Sequence, residues 1–148
     1  MAEESNRHQR IMVPVGGNDI DSETVRVAVW LAKQSSSKLY AIHIIEVNRS
    51  LPLGAVIDKD IERGEGILDG VDQLAAESAQ EVETELVQAR ETGPAIVDEA
   101  EEWGADLIVM GLPYKRRFGE FNLGRTVPYV LKNASCRVIL FRERRDSR

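Results

Sequence analysis

"GPAIVDEAEEWGADLIVMG", residues 93–111, carries a helix and the strand that follows it. Pro94 suits the first helical position, where a missing N–H breaks no helical bond. Gly104 suits the position after the last turn, where the chain needs a left-handed residue. Between them Ile96, Val97, Ala100 and Trp103 recur at helical spacing and mark one buried face. Trp103 reads as core rather than as a ligand platform. "ADLIVMG" (105–111) is then apolar without alternation, as a strand covered on both faces is. A helix turning tightly into such a strand is half of a parallel β-α-β unit.

The pattern repeats in both directions. "RIMVPV" (10–15) is a short strand closed by the turn "GGND" (16–19). From Asp21, the residues Val25, Ala28, Val29 and Ala32 form a helical stripe, with Asp19 or Asp21 expected to cap it. "KLYAIHIIEV" (38–47) is a second strand of the doubly buried kind. Residues 48–59 have no period and read as a loop, with Leu51, Leu53, Val56 and Ile57 expected to pack over the sheet edge. Ile61, Gly64, Leu68, Val71 and Ala75 give a second helix, weakened by Gly64, Gly66 and Gly70 at about 1 kcal/mol each relative to Ala. "EVETELVQA" (81–89) is polar at alternate positions, which suits a strand with one exposed side or at an edge. Leu123, Val127, Val130, Leu131 and Ala134 mark the last helix, and "CRVILFRE" (136–143) the last strand. Strands alternating with helices imply an α/β fold, one parallel sheet flanked by helices on both faces. Residues 10–143 are expected to form the single domain, between a disordered lead (1–9) and a disordered basic tail (144–148).

Composition narrows the function. A length of 148 residues suits one core, and a net charge of −6 argues against a nucleic-acid partner. One cysteine, Cys136, and two histidines exclude an intrachain disulfide and make a tightly bound metal improbable. No apolar run approaches the roughly 20 residues of a membrane span, and the polar start lacks a signal core, so a cytoplasmic protein without membrane insertion is expected. No catalytic constellation stands out: His43 lies within a strand, and Cys136 reads as a small buried hydrophobe.

Chemistry is expected beyond the C-terminal strand ends, where open α/β sheets bind ligands. Two loops meet there, "GGND" and "GLPYKRRFGEFNLGRT" (111–126). Pro128 lacks an N–H and is tolerated only in a first helical turn, so the last helix should begin between Gly124 and Val127. Its free amides and dipole favour an anion; Gly124 would allow close approach, Arg125 a bidentate grip, Thr126 a hydroxyl. On residue types alone, this loop is equally a solvated basic segment on an acidic protein.

With these segments in place, the chain resembles the universal stress protein family over residues 10–142. The segments that carry the likeness are "RIMVPVGGND", "AIHIIEV", "IVDEAEEWGADLIVMG" and "YVLKNASCRVILF". The resemblance implies a Rossmann-like, adenine nucleotide α-hydrolase-like sheet of order 3-2-1-4-5, and a homodimer formed through the last strand, Cys136–Glu143. It implies a stress-response regulator binding ATP or another adenine nucleotide, with a regulatory protein partner, rather than an enzyme; at most slow nucleotide hydrolysis would follow. The family's ATP-binding subset carries Gly, two residues, Gly, nine residues, then Gly-Ser or Gly-Thr. Here Gly111 and Gly124 keep the outer spacing, but Tyr114 replaces the middle glycine and Arg125 the Ser/Thr, with Thr126 one place on. An Asp that follows the first strand in that subset is Gly16 here.

The resemblance thus assigns the base and ribose to Pro14, Val15, Gly16, Gly17, Asn18 and Ile44. It assigns the phosphates to Gly111, Arg116, Arg117, Gly124, Arg125 and Thr126. The departures leave two readings open, a site rebuilt for a phosphorylated ligand and a dimeric signalling or scaffold module that binds no nucleotide. A third reading, an ATP pyrophosphatase-type enzyme, rests on "VGGND" alone, with Val15 and Ile20 where that loop has serines.

Overall fold

The structure is a computed structural model and describes residues 9–52, 58–117 and 120–145. The expected lead (1–8), most of the tail (146–148) and Leu53, Val56 and Ile57 lie outside the described residues. The elements are β1 (Arg10–Pro14), α1 (Asp21–Ser35), β2 (Lys38–Glu46), α2 (Asp58–Glu77), β3 (Val82–Ala89), α3 (Thr92–Trp103) and β4 (Leu107–Leu112). Then come β5 (Arg116–Arg117), β6 (Glu120–Phe121), α4 (Thr126–Asn133) and β7 (Arg137–Arg142).

Five strands pair in parallel in the order β3-β2-β1-β4-β7, the expected 3-2-1-4-5. Successive residues of β1 enter opposite halves of the core. Ile11 and Val13 join α1 and α2 through Val25, Ala28, Val29, Leu68 and Val71. Met12 joins α3 and α4 through Ile96, Val97, Val127 and Val130. Both faces of the central strands are therefore covered, which is why β1, β2 and β4 are apolar without alternation. At one edge, β3 alternates between exposed and half-buried positions, as its sequence requires.

Several expectations are corrected in detail. Helix α3 starts two residues before Pro94, because the Glu46 carboxylate accepts bonds from the Thr92 amide (3.1 Å) and hydroxyl (2.5 Å) at its first turn. Gly104 is left-handed at φ +77°, as expected. No side chain caps α1; its first residue, Asp21, turns back onto the preceding loop instead. Gly64 is a packing glycine, since a Cβ there would lie 2.4 Å from Leu86 Cδ2 and 3.0 Å from His43 Cδ2. Gly66 and Gly70 face open space.

The segment read as one loop before α4 contains an antiparallel hairpin, β5 with β6. The Tyr114 ring stacks on Phe121 at 4.7 Å between centroids, and the Arg142 guanidinium lies 5.0 Å from the Tyr114 ring. These contacts join the hairpin to the end of β7. Leu123 and Leu131, expected in the helix core, are 45% and 50% exposed. A helix of eight residues buries only Val127 and Val130 along its inner face. Leu51 is exposed as well rather than packed over the sheet. Cys136 precedes β7 and is half-buried, and burial pushes its thiol up.

Candidate functional site

The strand order reverses between β1 and β4, and a cleft of about 700 Å³ opens beyond their C-terminal ends. This is the switch point at which α/β sheets bind ligands, and the volume falls within the range of small-molecule sites. Pro14, Val15, Gly16, Asn18 and Ile44 line one side, while Gly111, Gly124, Arg125 and Thr126 line the other. Gly17 does not line it. The backbones of Arg116 and Arg117 form β5.

The first wall is the loop from β1 into α1, and its polar groups are engaged within the protein. Asp21 Oδ2 accepts the amides of Gly17 (2.7 Å) and Asn18 (3.1 Å). Burial raises the Asp21 carboxyl above its ordinary value, and those amides pull it partly back. His43 is buried, and its Nδ1 lies 2.8 Å from Val15 O. A carbonyl only accepts, so Nδ1 carries the proton. From α2, Arg63 Nη2 donates to Gly16 O at 3.2 Å. Gly17 holds φ +87°, and a Cβ there would lie 2.4 Å from Arg63 Nη2.

The second wall, between β4 and α4, leaves its donors open. The hairpin closes with the Asn122 amide donating to Lys115 O at 2.9 Å. Asn122 Oδ1 then accepts the Gly124 amide at 2.9 Å. That amide is consequently occupied. What Gly124 supplies is its φ of +70°, which turns the chain into α4. Beyond it, the amides of Thr126 and Val127 are the first two of α4, have no acceptor within the helix, and stand at its positive end. Pro128 is the third helical residue, within the first turn as its chemistry demands. The exposed residues Arg125 and Lys115 line the same cleft and form no ion pair among the described residues.

Two residues of the loop pattern, one an expected ligand residue and one a departure from the pattern, have structural roles that their residue types did not announce. Gly111 lines the cleft, but a Cβ on it would meet Thr24 Oγ1 at 2.4 Å, so it is the close approach of β4 to α1 that excludes a side chain there. Tyr114 is not held at positive φ; among the described non-glycine residues only Ser36 and Ala79 are. Its amide donates to Glu143 Oε1 at 3.0 Å, which anchors the hairpin to the chain after β7.

Asp21, His43, Asp60, Arg63, Lys115 and Asn122 also line the cleft and were not among the predicted site residues. Lys115 was within reach of sequence reading, as a member of the basic triplet. Arg63 was not, since it meets Gly16 across 47 residues of chain. Among the described residues no group of three or more His, Cys, Asp or Glu side chains gathers to hold a metal ion. No described helix is long and apolar enough to cross a membrane.

The sequence model of the Universal stress protein family matches residues 7–142. Universal stress protein MJ0531 of Methanocaldococcus jannaschii is 30% identical over 144 residues, covering 93% of this chain and 84% of that protein. A universal stress protein from Archaeoglobus fulgidus superposes with a TM-score of 0.77 at 24% identity, over 90% of this chain and 98% of the other. A further structure of the universal stress protein from Archaeoglobus fulgidus, in complex with dAMP, superposes at 0.70 and 23% identity, over 91% and 98% of the two chains.

Proposed function

The chain belongs to the universal stress protein family, and from that premise we propose that its cleft binds an adenine nucleotide as a regulatory signal in the cytoplasm. One observation carries the reading: the first turn of α4, whose Thr126 and Val127 amides have no acceptor within the helix, lines the cleft together with Arg125 and Lys115. Backbone donors at a helix N-terminus flanked by cations suit a phosphate. The apolar surface of Pro14, Val15 and Ile44 across the cleft suits the base. The dAMP complex of the Archaeoglobus fulgidus protein supports adenine as that base.

In this reading Arg125 and Thr126 hold the phosphates, with Lys115 joining them. Gly124 and Gly111 shape the wall rather than contact the ligand, and Arg116 and Arg117 add positive charge nearby. ATP and AMP both fit the chemistry. The protein acts as a sensor rather than a catalyst, with at most slow nucleotide hydrolysis. Calorimetric titration of nucleotide-stripped protein with AMP and ATP, at low and moderate salt, tests this. Saturable binding that weakens with salt is expected, because the phosphate side is built from charges and dipoles. No heat at millimolar nucleotide from folded protein would refute it.

A second reading, which also belongs to the proposal, is a homodimer through β7 that presents the protein to a regulatory partner. The observation that favours it is the apolar edge strand, where Ile139 remains 37% exposed. Sheet edges of this kind are usually paired or covered. Sedimentation at micromolar concentration should give a dimer, and a monomer would contradict it.

A further inference from the structure

We propose that Arg63 makes the site selective for adenine nucleotides that carry a second phosphate outside the 5′ chain. This inference rests on the nucleotide-binding reading above and names the ligand class more closely. The cleft has cations on both walls. Lys115 and Arg125 stand at the start of α4, and Arg63 stands at the β1–α1 loop. A single anionic group held by the Thr126 and Val127 amides would account for the first pair and leave Arg63 unexplained.

Arg63 is positioned rather than loose. Gly64, the next residue, lets α2 approach β2 and β3 more closely than any side chain would allow. That approach brings the first turns of α2 over the end of β1. Gly17, without a Cβ, leaves the space into which the guanidinium settles. Its one hydrogen bond among the described residues is to Gly16 O, and it forms no ion pair among them. The remaining N–H groups of its flat fork are available, in the geometry that grips phosphate bidentately.

Among the described residues no acid is paired with it. Asp21 is occupied by the amides of Gly17 and Asn18, and Glu46 by Thr92. Asp60 lines the cleft one helical turn before Arg63, on the same helix, but is not paired with it. Gly16 offers no side chain to accept a bond from a sugar hydroxyl. The wall opposite α4 therefore presents a cation with N–H groups to spare. A cation there suits a phosphate on the ribose, or the linking phosphate of a dinucleotide.

The test is calorimetric titration of the whole protein with four probes. These are AMP, adenosine 2′,5′-bisphosphate, adenosine 3′,5′-bisphosphate and the linear dinucleotide 5′-phosphoadenylyl-(3′→5′)-adenosine. At least one of the last three should bind tenfold or more tightly than AMP. Which one does so distinguishes a ribose phosphate from a dinucleotide linkage. Arg63→Ala and Arg63→Gln should abolish that preference and change AMP affinity less than threefold, with thermal melting confirming that both fold. Arg125→Ala should weaken every probe alike. AMP binding as tightly as all three would overturn the proposal while leaving nucleotide binding intact. So would Arg63 variants that lose affinity equally for all probes. Absence of binding by every probe would overturn both readings together.

Discussion

The two walls of the cleft are built from similar materials, glycines, an Asn, cations and a helix start, and differ in where their hydrogen bonds go. In the β1–α1 loop, the amides of Gly17 and Asn18 are taken by Asp21, and the carbonyls of Val15 and Gly16 by His43 and Arg63. In the β4–α4 loop, Asn122 takes the Gly124 amide, and among the described residues no side chain caps the Thr126 and Val127 amides of the first helical turn. Backbone groups with internal partners form a frame, while groups left without one have bonding capacity for a ligand. The difference assigns shape to the backbone of the first wall and phosphate binding to the backbone of the second, while the spare N–H groups of Arg63 remain the first wall's own contribution to a ligand.

Substitutions that act on frame or ligand separately can break this comparison. The largest effect belongs to Gly111→Ala. Its Cβ would press on Thr24 Oγ1 from 2.4 Å and on Ile20 Cγ2 from 3.2 Å. Overpacking of this kind should cost about 3 kcal/mol of stability in chemical denaturation. A loss of nucleotide affinity with unchanged stability would instead make Gly111 a ligand residue.

Arg125→Ala should do the opposite, weakening AMP binding at least tenfold, or about 1.4 kcal/mol. Its stability should stay within about 0.5 kcal/mol of the parent, because the side chain is exposed and unpaired. Equal losses in both measurements would place Arg125 in the frame.

Asp21→Ala should cost about 1 kcal/mol of stability by removing the acceptor from two amides. Asp21→Asn keeps an acceptor and separates charge from hydrogen bonding. Burial raises the Asp21 carboxyl in the folded protein above its ordinary value of 3.8. The folded state therefore holds this proton more tightly than the unfolded state. The favourable contribution is fully present below the ordinary value and is lost as pH rises through the folded one. Asp21→Asn should consequently gain stability relative to the parent as pH rises from 4 to 7. A relative loss over that range would mean that the amides outweigh burial.

The smallest effect is expected at Gly66 in α2, where an added Cβ meets nothing within 4 Å. Gly66→Ala should stabilise by about 0.4–1 kcal/mol through helix propensity and unfolded-state entropy. Gly64→Ala should destabilise, because Leu86 occupies the space. A gain at both positions would remove the close approach that brings Arg63 to the loop.

The parallel sheet was legible because its central strands are continuous apolar runs alternating with amphipathic helices, and its order because those segments resemble a known family. Gly104 and Pro128 act locally, so they read correctly in isolation. The hairpin β5–β6 did not, since its strands are two residues each and its order comes from Tyr114, Phe121 and Arg142 meeting across the fold. Apolar spacing also placed Leu123 and Leu131 in a core that a helix of eight residues does not provide.

The place of the cleft was legible, and Arg125, Thr126, Pro14, Val15 and Ile44 line it. Not legible were the structural roles of Gly111, whose reason is a helix over 80 residues earlier, and of Gly124, whose amide Asn122 occupies. Asp21 and Arg63 were assigned no part in the loop after β1. Their contacts form only after α1 starts and α2 docks, and no local pattern records them.

The contrast between the walls is tested most directly by amide NMR of the labelled protein titrated with AMP. The account predicts saturable shifts at Thr126 and Val127, with the amides of Gly17 and Asn18 still held by Asp21 and moving far less. Largest shifts at Gly17 and Asn18, or no saturable shift at either wall, would contradict it.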